Sequence, residues 1–300
     1  MDKNFQNSEG CAMVKEKSQE RADMNIRLRQ REEVKTLFSD IRHNPKKYLF
    51  IHYSSEDINE NSGVAKSFSV CISHIDESGI KTFSVLDEAL IRKIKVEDIG
   101  NNYDMLELEM LKKFFEYIKA FDPKYHILLH WNMKNSSYGF DALTLRYQIL
   151  SNDDAYNTLF DEFTKINISS ELIKLFGTNY TEKEEKTADN INHKSKGRID
   201  YLIEKNSLNS PAAKKFTKSL LNEGKFQELH ISFYARYEAI LHIIIYALEG
   251  RLKTNRNIID RYGFNPAGIF EAIKDDWKLA FVAAAFWLFI AIIFEKLFFS

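Results

Sequence analysis

The stretch LELEMLKKFFEYIKAFDPKYHILLHWNMKNSSYGFDALTLRYQIL, residues 106–150, decides how this chain is read. Leu106, Met110, Phe114, Ile118 and Phe121 recur near helical spacing, which predicts a helix over about residues 102–121. Asp122-Pro123 stops it, because a proline disfavours helical backbone in the residue before it. Tyr125–Trp131 (YHILLHW) then reads as a strand, and Phe140–Leu150 as a second helix carrying Leu143, Tyr147 and Leu150. The unit is therefore helix, strand, polar loop, helix.

Working outward, three strand-like runs precede it: Tyr48–Tyr53 (YLFIHY), Phe68–Ile75 (FSVCISHI) and Lys81–Leu86 (KTFSVL). Asp76-Glu-Ser-Gly79 joins the last two as a hairpin connection. Ahead of Asn44-Pro45, residues 13–42 favour helix, with Val34, Leu37, Phe38 and Ile41 on one stripe. Arg27, Arg29 and Arg31 fan around that helix rather than aligning, so they are read as a solvated face. Past residue 151 the chain reads as helical, with a charged linker at Thr181–Thr187 and a turn at Asn206–Pro211. Phe226–Leu248 carries a stripe of Phe233, Tyr237, Ile240, Leu241, Ile244 and Leu248, while Arg236, Glu238 and His242 argue against a membrane span there.

Three strands, a helix, a strand ending in a polar cluster and another helix make up the element order of the ribonuclease H-like fold. Residues 48–150 resemble the DEDD-type 3′–5′ exonucleases, in which a strand ends His-Asn, a short loop follows, and Phe-Asp opens the next helix. The matching residues are His130, Asn132, Phe140 and Asp141, with Trp131 inserted between the first two. The resemblance implies two divalent metals, Mg²⁺ or Mn²⁺, held by four carboxylates that stabilise the attacking water and the leaving oxygen. This chain departs from that pattern. The first strand ends Phe50-Ile51-His52-Tyr53-Ser54-Ser55 and has no carboxylate until Glu56 and Asp57. His52 and Ser54 are poor ligands for hard cations. His193 and Asp200 are the nearest match to the family's last His and carboxylate, at a wider spacing. One matching carboxylate in four argues for a degenerate domain that binds rather than cuts.

Other motifs carry less. There is no phosphate-binding glycine loop, Cys-x-x-Cys pair or His-Glu-x-x-His. Glu107 and Glu109 fall on different faces of one helix and cannot form a catalytic pair. His130 beside a strand end is more often a hydrogen-bonded core group than a ligand. Arg236 and His242, six apart on one helix, resemble the Arg-x(4–6)-His signature of HEPN ribonucleases, which implies action on a ribose 2′-hydroxyl by a dimer. The alternative is structural pairing of either residue with Glu228 or Glu238.

The far end of the chain is of a different kind. From Leu279 to Phe294 the sequence LAFVAAAFWLFIAIIF holds no charge, and ten of its residues are Leu, Ile, Val or Phe. Each contributes roughly −0.3 to −0.6 kcal/mol to bilayer insertion, so the ten sum to about −3 to −6 kcal/mol. The run is short of the about 20 residues a bilayer core needs. Trp277 at one interface, and Lys278 and Lys296 reaching for the headgroups, make up the difference, with Trp287 inside the span. Lys253, Arg256, Arg261, Lys274 and Lys278 precede the segment and only Lys296 follows it, so a single-pass, tail-anchored chain with its N-terminal bulk cytoplasmic is expected. Two cysteines, Cys11 and Cys71, are too few for a disulfide framework.

The net charge of −1 conceals an uneven distribution. Residues 45–192 carry 17 Lys/Arg against 24 Asp/Glu, whereas residues 193–261 carry 13 against 7. Lys194, Lys196, Arg198, Lys214 and Lys215 in the basic part are candidate contacts for a nucleic acid backbone or anionic lipid. The expected organisation is a charged N-terminal helix (1–44), a ribonuclease H-like α/β domain (45–150), a basic helical domain (151–265), and a juxtamembrane helix with a C-terminal transmembrane anchor (266–300). The expected function is recognition of nucleic acid or an anionic partner at a membrane, an architecture that suits a bacterial defence sensor. The alternatives are a membrane-tethered nuclease of either resembled type, and a membrane-permeabilising effector. The N-terminal and transmembrane helices are the candidate surfaces for homo-oligomerisation.

Overall fold

A computed structural model describes residues 26–55, 65–134, 138–181, 197–208, 220, 223–255, 261–262 and 266–299. Its centre is a five-stranded mixed sheet: β1 (Tyr48–Ser55), β2 (Ser67–His74), β3 (Lys81–Ser84), β4 (Ile127–His130) and β5 (Thr164–Asn167). The spatial order is β3-β2-β1-β4-β5. β2 runs antiparallel to β1 and β3, while β1, β4 and β5 are mutually parallel. Nine α-helices are present among the described residues: α1 (residues 26–43), α2 (Val85–Ile91), α3 (Tyr103–Lys119), α4 (Phe140–Ser151), α5 (Ile168–Phe176), α6 (Arg198–Lys205), α7 (Phe226–Leu248), α8 (Pro266–Asp275) and α9 (Trp277–Phe299).

The two faces of the sheet follow from strand alternation. Leu49, Ile51 and Tyr53 of β1, with Phe68, Val70 and Ile72 of β2, join Leu106, Met110, Phe114 and Ile118 of α3 in one core cluster. Phe50 and His52 point the other way and meet α7, where the Phe50 ring lies 5.2 Å from Tyr237 and the His52 ring 5.9 Å from Phe233. β2 presents Ser69, Cys71 and Ser73 on that face, all buried and small, so α7 approaches closely and the Tyr237 hydroxyl donates to Ser73 Oγ at 2.7 Å. α7 is apolar and long enough to cross a bilayer, but half of its apolar window is buried against protein, as its Arg236, Glu238 and His242 led us to expect.

A buried ion pair ties α3 to α4. Glu107 is fully buried and accepts from the Arg146 guanidinium at 2.7 and 3.0 Å and from the Ser67 backbone N–H at 2.5 Å. Burial pushes its carboxyl above the usual range against the pull of those donors. Glu109 lies on another face of α3 and pairs with Arg92 at 3.2 Å.

The chain divides into two compact units, residues 37–172 with 181–254, and residues 1–36 with 173–180 and 255–300. The expected boundary at residue 150 therefore shifts: β5 continues the sheet within a stretch read as helical, and α7 covers that sheet rather than building a separate domain. In the second unit Arg31 is buried, not solvated as its spacing implied. It donates to the Leu175 carbonyl, to Tyr262 Oη at 3.2 Å and to Asp275 Oδ2 at 2.8 Å, and stacks over the Tyr262 ring at 4.7 Å. Burial alone would raise the Asp275 carboxyl, but hydrogen bonds from Arg31 and Lys35 outweigh it and hold the group below the ordinary carboxylate range.

Helix α9 follows directly. Its 23 residues rise about 35 Å, more than the about 30 Å of a hydrocarbon core, so the shortfall of the sixteen-residue run disappears once the flanking turns are helical. None of the window Trp277–Lys296 is buried within the protein, and Trp277, Phe281 and Trp287 are each more than two-thirds exposed. A core helix buries a stripe of its surface; this one buries none.

Candidate functional site

In an open α/β sheet, ligands lodge beyond the carboxyl ends of the parallel strands. Here β1 and β4 are adjacent and parallel, so both end at one edge of the sheet. β1 leaves His52, Tyr53 and Ser54 there, and β4 leaves Trp131 and Asn132. Asn132 sits at φ 55°, the left-handed region that asparagine tolerates better than most residues. A reciprocal pair fixes it: Asn167 Nδ2 donates to Asn132 Oδ1 at 3.0 Å, and the Asn132 N–H donates to Asn167 Oδ1 at 3.0 Å. The loop then returns to bridge Lys134 with Gly139, and Tyr53 receives the Gly139 N–H at 2.9 Å.

His52, Tyr53, Ser54, Trp131 and Asn132 line an open cavity of about 550 Å³, completed by Tyr138, by Gly197, Arg198 and Ile199 at the start of α6, and by Arg236 of α7. That volume falls within the roughly 300–1,000 Å³ typical of small-molecule sites. Arg236 donates to Asp200 Oδ1 at 2.7 Å, which joins α7 to α6 at the cavity wall. No ion pair among the described residues engages Arg198. Among the described lining residues the charged side chains are both arginines and none is a carboxylate.

His52 is buried, and burial together with the Arg236 charge lowers its pKa to about 3. It is neutral near pH 7 and adds no charge to the cavity. The Tyr138 hydroxyl donates to the Tyr53 carbonyl at 3.0 Å and lies 3.3 Å from His52 Nδ1. Burial raises the Tyr138 phenol well above its ordinary range, with the Arg236 charge opposing, and the Tyr138 ring stacks on Tyr53 at 4.6 Å.

The structure distributes the sequence candidates unevenly. Asn132, Arg198 and Arg236 line the cavity beside His52. His130 is a core group: its Nδ1 accepts the Met133 N–H at 3.0 Å, its ring meets Phe140 edge-on, and burial lowers its pKa to about 4. Asp141 lies exposed in the first turn of α4 and is not among the lining residues. Asp200 is committed to Arg236. His242 faces Glu77 in the β2–β3 turn at 3.4 Å, near the opposite end of β1, so Arg236 and His242 do not meet within one chain. Lys194, Lys196, Lys214 and Lys215 lie outside the described residues, as do His193, Glu56 and Asp57. Trp277, Lys278, Trp287 and Lys296 are all on α9. Among the described residues no three of His, Cys, Asp or Glu gather as metal ligands. The described donors do not fit the two-metal centre that the exonuclease resemblance implies.

Tyr138 escaped the sequence reading, because a tyrosine in a polar loop carries no periodicity. Arg236 was noticed for a different chemistry; the signal for its present place is a cation interrupting the apolar stripe of a core helix. Comparison with protein-family models, curated proteins and solved structures finds no match for this chain.

Proposed function

We propose that this chain is a membrane-seated recognition protein whose ribonuclease H-like body binds nucleic acid at the edge formed by β1 and β4. The observation that carries the reading is the charge of the cavity wall. Where the resembled nucleases would hold carboxylates and metal, this cavity presents Arg198 and Arg236. Guanidinium groups recognise phosphate with paired, directional donors. The sheet order, with only β2 reversed, and the succession β1–β2–β3, α3, β4, α4 support the ribonuclease H-like assignment. The exposed apolar surface of α9 supports the membrane assignment, since water would otherwise face several large aromatic side chains.

The test is a titration of the full-length chain, in lipid nanodiscs, with labelled single-stranded RNA and DNA across a series of salt concentrations. Binding is expected to weaken with salt, with a slope of about 0.7 per phosphate contact, and Arg236→Ala is expected to lower both affinity and slope. Salt-independent binding, or an Arg236→Ala variant that binds like the parent, contradicts the reading. Digestion of the probe with added Mg²⁺ or Mn²⁺, abolished by Asp141→Ala, would establish the nuclease alternative instead.

A further inference from the structure

Two arginines in one small cavity admit several anions, and their local charge separates the candidates. Arg198 stands at the first turn of α6, and Arg236 reaches the same wall from α7. Asp200 offsets one of the two charges. The amino end of α6 adds a partial charge of about +0.5, which leaves a balance of about +1.5 among these described groups. A phosphodiester carries a single negative charge, whereas a phosphomonoester carries about −1.5 to −2 near neutral pH. The monoester is the better match. The rest of the wall includes Trp131 and Tyr138, and aromatic surface suits a base more than it suits a bare inorganic anion.

We infer that the cavity takes the terminal phosphomonoester of a nucleotide, free or at a strand end, and that Arg198 and Arg236 hold it without a divalent metal. The inference rests on the recognition reading above and narrows it to one end of the ligand. It also accounts for a described lining without carboxylates: acidic side chains would repel the phosphate unless metals lay between them, and two guanidinium groups need none.

The experiment uses the full-length chain in nanodiscs with EDTA present, and oligonucleotides of one sequence that differ only in a 5′-phosphate, a 3′-phosphate or hydroxyl ends. Anisotropy is expected to show one phosphorylated end binding at least about tenfold more tightly than the hydroxyl-ended strand. A nucleoside monophosphate should compete for that site better than inorganic phosphate does. Arg198→Gln, an exposed position at a helix start, is expected to erase the preference for the phosphorylated end. Equal binding of phosphorylated and hydroxyl-ended strands overturns the inference and leaves nucleic acid recognition standing. Loss of binding in EDTA, or a preference that survives Arg198→Gln, also overturns it. Failure of every strand to bind removes the recognition reading together with the inference.

Discussion

Lowering the pH should destabilise the folded body through two buried histidines. His52 and His130 have folded-state pKa values of about 3 and about 4, each depressed by burial first and by neighbouring cations second. In the unfolded chain both return to about 6.5. Between these limits the unfolded state binds a proton that the folded state refuses, so stability rises with pH. The contribution is complete above about pH 6.5 and is lost progressively as pH falls towards 3 for His52 and 4 for His130. At pH 5.0 each site lies about 1.5 pH units below its unfolded value, which costs about 2 kcal/mol apiece and about 4 kcal/mol together. For a body of this size 1 kcal/mol moves the midpoint by about 2–4 °C, so the pair should lower it by about 8–16 °C between pH 7.5 and 5.0. Circular dichroism melts of the full chain in detergent would measure this. His52→Gln and His130→Gln, which cannot titrate, should each remove about half of the slope. A midpoint that stays level down to pH 5.0, or a double variant that keeps the parental slope, refutes the burial and neutrality assigned to both rings.

Other consequences concern charge. Glu107→Gln leaves the buried Arg146 with the exposed Asp104, at 2.8 Å, as its remaining ionised partner and should cost up to about 3 kcal/mol, read as a fall in the urea midpoint; adding Arg146→Met should recover part of the loss. Asp200→Asn removes the carboxylate charge opposite Arg236 and should raise affinity for a phosphorylated nucleotide about two- to fivefold, measured by the same anisotropy titration.

Much of the fold was legible because its elements are periodic. The helix expected over residues 102–121 is α3 (Tyr103–Lys119), the strand expected at Tyr125–Trp131 is β4, and α7 has the expected bounds of Phe226–Leu248. β5 was missed because Thr164–Asn167 is short and three of its four residues are polar; it exists by pairing with β4, a tertiary fact. The first two residues of α2 were read into the preceding strand and the rest left unassigned, although Ser84 and Asp87 mark its start: the Ser84 hydroxyl accepts the Asp87 N–H at 3.0 Å as an N-cap. The cavity was half legible. Asn132 and Arg198 stood out in the sequence, but the meeting of Arg236 and Asp200 joins residues 36 apart, and no local pattern encodes it. Arg31 misled for the same reason, since its partners Tyr262 and Asp275 are more than two hundred residues away.

The account depends most on α9 seating the chain in lipid, and flotation measures that directly. Full-length protein mixed with liposomes, washed in alkaline carbonate and centrifuged through a density gradient should rise with the vesicles. Recovery of the chain at the bottom, dissolved and lipid-free, would contradict it.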